Sequence, residues 1–185
     1  KFIKLKKLAG DLNTPTNTLV FCGDGKNEEI DDSENKDKQR TKKILDSVGW
    51  TTREFTAEVS QAERANRIED FKDRDINALI AIKVLDQGVN IPAITTAIIL
   101  ASTRSKRQYI QRLGRVLRKS KGKKMSHIYD FIVLPSDSQN RELSVSLEKL
   151  IIAESVRFEE FAKNAENCDK LCVDKKNIFV VTEDE

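Results

Sequence analysis

Gln111, Arg115 and Arg118 have the types and spacing to act together on a phosphate. On a helix turning 100° per residue, with Gln111 at 0°, Arg115 falls at about 40° and Arg118 at about −20°. The three side chains therefore share one narrow stripe. Each guanidinium carries a rigid fork of donors that matches phosphate oxygens. Ile110, Leu113, Val116 and Leu117 fall on the far side, between about 140° and 260°, and make an apolar back for seating the helix on a sheet. Gly114 has no side chain and leaves room for another backbone or a ligand to come close. A solvated basic face, or a general nucleic-acid patch, would mix Lys and Arg freely. Here the shared face holds Gln and Arg only, and Lys119, Lys121, Lys123 and Lys124 come after it.

The stripe lies in a basic island. Ser102–Lys124 holds ten of the 33 Lys and Arg and no acid. The other 162 residues carry 23 basic and 30 acidic side chains, so a segment of +10 sits on a body of −7 although the net charge is +3. Such an island is a place for anions.

The elements that must position the stripe follow from the apolar pattern. Thr18–Cys22, Ile76–Ile82, Thr95–Ala101 and Ile128–Leu134 are mostly continuous apolar runs, as expected of strands buried on both faces of a parallel sheet. Thr51–Thr56 is a weaker fifth. Helical patterns over Asp37–Val48, Gln61–Lys72 and Lys106–Leu117 lie between them, and Ser60 with Glu63 reads as a helix start. A short helix over Phe2–Leu12 precedes the first strand. This alternation predicts an α/β fold with a mainly parallel sheet, right-handed crossovers and ligands at the carboxyl ends of the strands. Asn27–Asp37 reads as an acidic loop. A helical pattern over Ser136–Asp169 forms an appendage, with a last strand at Ile178–Val181. The expected organisation is a lobe over 1–135 and a helical extension over 136–185.

With 38% hydrophobic and 34% charged residues the chain is too apolar for disorder and too polar for a membrane protein. No apolar run approaches the roughly 20 residues of a membrane span, and no membrane partner is expected. The start, KFIKLKKLAG, lacks the features of a signal peptide, and the missing initiator Met predicts an excised fragment. Cys22, Cys168 and Cys172 are an odd count without metal spacing, which suits a reducing, intracellular compartment: cytoplasm, nucleoid, or a eukaryotic nucleus.

Beyond its pattern, Gln111–Arg118 (QRLGRVLR) resembles motif VI of superfamily-two helicases, in the form found in type I/III restriction and Rad25-like repair translocases. Leu79–Pro92 (LIAIKVLDQGVNIP) resembles motif V, usually LDEGxDIP in that group. Gln61-Ala62-Glu63-Arg64 followed by Phe71 resembles the QxxR element, and Leu19–Cys22 the strand of motif IV. The motifs occur in family order from about Thr18 to Leu134.

The resemblance implies the second of two RecA-like lobes, three-layered, with ATP in the cleft between them and nucleic acid running across both. Arg115 and Arg118 match the arginine-finger positions that meet the γ-phosphate of ATP held by the first lobe. Gln111 matches a contact to nucleotide or lobe one. Gly88 and Asn90 match motif V, where the usual acid accepts a hydrogen bond from the ribose. Gln87 and Asn90 stand where Glu and Asp are common, and an Asn carbonyl still accepts that bond without the charge. A plain turn using Gly and Asn is the alternative at Gly88. Thr56, Lys83, Lys106 and Arg107 are candidates for the nucleic-acid backbone, although capping competes at Thr56 and acidic groups of lobe one at Lys106 and Arg107. Ile82 replaces a Thr that many relatives use. Such contacts would be blind to sequence. The implied parent is an ATP-hydrolysing helicase or translocase of restriction or repair type, acting on DNA, with RNA also compatible. ATP and Mg²⁺ would be held mainly by the first lobe. The rival reading is a non-catalytic module that uses the basic island only to bind nucleic acid or an acidic partner.

Gly23-Asp24-Gly25-Lys26 fails the phosphate-loop pattern, since Val20 and Asn27 stand where Gly and Ser or Thr are needed. With no acidic box either, the chain alone is expected to be inactive. His127 begins a strand with no partner for catalysis, Cys168 and Cys172 lack a second ligand pair, and Trp50 is expected to pack a helix end.

Overall fold

The computed structural model describes residues 1–22, 32–56, 58–82, 94–100, 114, 116–120, 123–131, 145–162, 165–167, 173–174 and 177–178. The chain divides into two compact units, Lys1–Phe131 and Ile132–Glu185.

The first unit is built on five strands: β1 (Thr18–Phe21), β2 (Thr52–Phe55), β3 (Ala78–Ala81), β4 (Thr96–Ile99) and β5 (His127–Asp130). They form one sheet in the order β2-β3-β1-β4-β5, and each neighbouring pair is parallel. This is the α/β architecture the alternating pattern predicts. β1, β3 and β4 are buried along their whole length. β5 departs from that expectation: His127 is exposed and the next three residues are half-buried. The strand lies at the sheet edge, starts one residue before the apolar run, and its register pairs His127 with Thr96. Residues 132–134 of the expected strand lie outside the described residues.

Helices α1 (Phe2–Asp11) and α2 (Asp32–Ser47) share one face of the sheet. Leu5, Ala9, Leu45 and Trp50 pack there against Val20, Ala78, Ile80 and Ile98. Trp50 is buried as expected, and its indole N–H donates to the Ala9 carbonyl at 3.1 Å, so the polar handle is satisfied inside the core. The start of α2 corrects the expectation of an acidic loop over Asn27–Asp37: the helix already runs from Asp32. The sequence at that start, Asp-Ser-Glu, suits a first turn, where acidic residues are favoured by the positive end of the helix dipole. The helix ends in a Schellman motif. Gly49 takes a φ of +87°, its N–H reaches Asp46 O at 3.1 Å, and the Trp50 N–H reaches Leu45 O at 3.1 Å. Lys38 of α2 is buried and pairs with Glu54 of β2 at 3.0 Å, which ties the helix to the edge strand.

Helix α3 (Gln61–Asp73) begins where the sequence predicts. Ser60 Oγ accepts from the Glu63 N–H at 3.2 Å, and Arg74 closes the helix at a φ of +66°. Phe71 of α3 and Phe55 of β2 are both fully buried. Phe55 aligns with Ala81, so it belongs to the sheet face opposite the one carrying Ala78 and Ile80.

In the second unit, α4 (Val145–Ala162) is shorter than the expected Ser136–Asp169, and residues 136–144 of that span lie outside the described residues. β6 (Val173–Asp174) and β7 (Asn177–Ile178) form an antiparallel pair. The expected strand at Ile178–Val181 shares only Ile178 with it, the rest lying outside the described residues. Among the described residues no helix is long and apolar enough to cross a membrane.

Candidate functional site

Because all five strands run one way, their carboxyl ends line a single edge. β1 connects toward β2 while β3 connects toward β4, and β1 and β3 are neighbours. Open parallel sheets take their ligands in the crevice at such a switch point. The segment holding Lys83, Gly88 and Asn90 leaves β3 at this point. Those three residues, and Lys106, Arg107, Gln111 and Arg115, lie outside the described residues.

Thr56 is described. It directly follows β2, the neighbour of β3, and the register Phe55–Ala81 sets it beside Ile82, the last described residue after β3. Its hydroxyl is buried with no hydrogen-bond partner among the described residues, and α3 is capped by Ser60. Capping therefore does not occupy the Thr56 side chain.

Of the stripe only Arg118 is described, together with Gly114, Val116 and Leu117 of the same segment. Gly114 and Val116 are helical, and the chain turns at Leu117. Val116 is fully buried, as the apolar back requires. Leu117, expected on the same side, is 52% exposed: the helix ends there and the 100° step no longer applies. Gly114 is exposed, with open space where a Cβ would stand, and Arg118 is exposed.

Sequence reasoning missed the bonds just beyond the stripe. Lys123 Nζ donates to the Val116 carbonyl and, at 3.2 Å, to that of Arg118. Ser126 Oγ donates to the Val116 carbonyl at 3.1 Å. Burial lowers the Lys123 pKa below its ordinary value. Lys119 and Lys124 are exposed. A Lys shortly beyond a helix end is the only signal that points to this bond.

Among the described residues no group of three or more His, Cys, Asp and Glu is arranged to hold a metal. Cys22, at the carboxyl end of β1, is a buried thiol that donates to Thr41 Oγ1 at 3.5 Å.

Residues 1–120 match the family of the helicase conserved C-terminal domain. The chain belongs to this family. The DNA 3'-5' translocase XPB2 of Sulfurisphaera tokodaii is 39% identical over 64 residues, 35% of this chain and 15% of that protein. The DEAD-box ATP-dependent RNA helicase 28 of Oryza sativa subsp. japonica is 33% identical over 79 residues, 43% of this chain and 10% of that protein. The helicase domain here thus spans a small part of these relatives. The C-terminal domain of the DEAD-box protein Dbp5 shares the fold, with a TM-score of 0.58 over 86% of this chain and 78% of that one, at 19% identity. A named DNA translocase and a named RNA helicase both match, so the likeness extends beyond the restriction and Rad25-like group.

Proposed function

We propose that this chain is the second RecA-like motor lobe of an ATP-dependent helicase or translocase acting on DNA, of the restriction or repair type. The carrying observation is the family match over residues 1–120, which includes the Gln111–Arg118 stripe on the connection from β4 to β5. In this reading Arg115 and Arg118 meet the γ-phosphate of ATP held by a first lobe and stabilise the charge that spreads during phosphoryl transfer. Gln111 contacts the nucleotide or the first lobe, and Gly88 and Asn90 lie by the ribose. Thr56, Lys83, Lys106 and Arg107 hold the nucleic-acid backbone. Mg²⁺ comes with the nucleotide on the first lobe. The lobe is 1–135, with 136–185 as its extension, and the protein works inside the cell.

Arg115→Ala in the full-length protein tests this. Nucleic-acid-stimulated ATP hydrolysis should fall by roughly 10³–10⁵, while nucleic-acid affinity stays near that of the parent. Unchanged hydrolysis sinks the motor reading. The amides at Gln87 and Asn90 give some weight to a second reading, a non-catalytic binding module, which predicts graded loss of affinity as each basic residue of the island is removed.

A further inference from the structure

The lysines after the stripe do not form one class. Lys123 is turned back onto the chain that precedes it. Its own N–H bonds to the Ser120 carbonyl at 3.1 Å, which closes a turn. Its ammonium then bridges the carbonyls of Val116 and Arg118. The last carbonyls of a helix have no partner within the helix, and a cation there also meets the negative end of the dipole. Ser126 adds a second bond to the Val116 carbonyl and is followed by His127, whose N–H bonds to Thr95 O at 2.8 Å. A continuous path therefore runs from the sheet through Ser126 to Val116, and through Lys123 to the backbone of Arg118.

We propose that Lys123, supported by Ser126, is a positioning residue for the arginine stripe: it fixes the Val116–Arg118 backbone against the sheet for the nucleotide step and is not a nucleic-acid contact. The proposal rests on the motor reading of the stripe. A fork that must reach a phosphate across a cleft loses much of its effect when displaced by an ångström. A backbone tied at two carbonyls resists that displacement.

The test uses the full-length protein, with Lys123→Ala, Lys123→Arg and Ser126→Ala compared with Lys119→Ala, which removes one exposed cation from the same island. Steady-state ATP hydrolysis gives kcat and KM, and nucleic-acid binding is titrated against salt. Lys123→Ala should lower kcat at saturating nucleic acid roughly 10-fold, with an affinity and salt slope like those of the parent. Lys123→Arg should restore most of kcat, because a guanidinium also donates to two carbonyls. A kcat for Lys123→Ala equal to that of Lys119→Ala overturns the proposal. So does a loss confined to nucleic-acid affinity, with the salt slope reduced by about one. If Lys123→Ala does not fold, Ser126→Ala decides, since it deletes one of the two bonds to Val116 O: an unchanged kcat there overturns the clamp. Arg115→Ala in the same assay separates the two claims. Unchanged hydrolysis in that variant removes the motor reading itself, whereas an inactive Arg115→Ala beside an unaffected Lys123→Ala removes only the clamp.

Discussion

Cys22 ends β1 against α2, and burial pushes its thiol from 9.0 up to about 11, a rise that its bond to Thr41 only partly opposes. The folded chain keeps this proton to a higher pH than the unfolded chain does, so stability falls as pH rises from 9.0 toward about 11 and is untouched below that window. The loss should reach on the order of 2 kcal/mol. Urea unfolding of the parent and Cys22→Ala at about pH 8 and about pH 11 checks it: the parent should lose stability relative to the variant, and parallel curves would sink the idea. Gly114 gives a second test at this scale. It is helical and exposed, with nothing against its missing Cβ, so Gly114→Ala should stabilise the folded chain by about 0.5–1 kcal/mol. In the full-length protein the same methyl group should lower ATP hydrolysis if the stripe closes on a phosphate. A variant that gains stability and keeps full turnover would mean that nothing approaches this face.

Helix α3 joins a readable sequence to a measurable contribution. Ser60→Ala removes the acceptor for the Glu63 N–H and should cost about 1 kcal/mol in chemical denaturation; a change below a few tenths would mean the cap is not used in solution. That start is legible because capping is local, and the inner strands are legible because burial on both faces leaves continuous apolar runs. The first turn of α2 is not, since an Asp-Ser-Glu run reads as polar loop unless the dipole is considered. β5 is misjudged because an apolar run says nothing of where in the sheet the strand will lie. The apolar back of the stripe is legible from its period at Val116, which is fully buried, while Gln111 and Arg115 lie outside the described residues. The Lys123 clamp is not: it joins a side chain that lies beyond the helix to carbonyls five and seven residues earlier, and apolar periodicity carries no mark of such a bond.

At the scale of the whole molecule the charges and the topology lead to one expectation. A +10 segment follows β4, while the rest of the chain is net −7, so anions are drawn to one connection and repelled elsewhere. Attraction alone does not hydrolyse ATP. Turnover needs a cradle for the β- and γ-phosphates and ligands for Mg²⁺. Gly23–Lys26 lacks the spacing of such a cradle. The chain by itself should therefore release phosphate from ATP at the background rate, with or without single-stranded DNA. It should still bind that DNA, with log affinity falling linearly in log salt. On the proposed motor reading the full-length protein should hydrolyse ATP and respond to DNA, because a first lobe would there set a bound γ-phosphate against the stripe. Phosphate release by both proteins across a DNA titration measures this directly. Turnover by the chain alone that is abolished by Arg115→Ala would overturn the two-lobe reading, since a complete nucleotide site would then lie within these 185 residues.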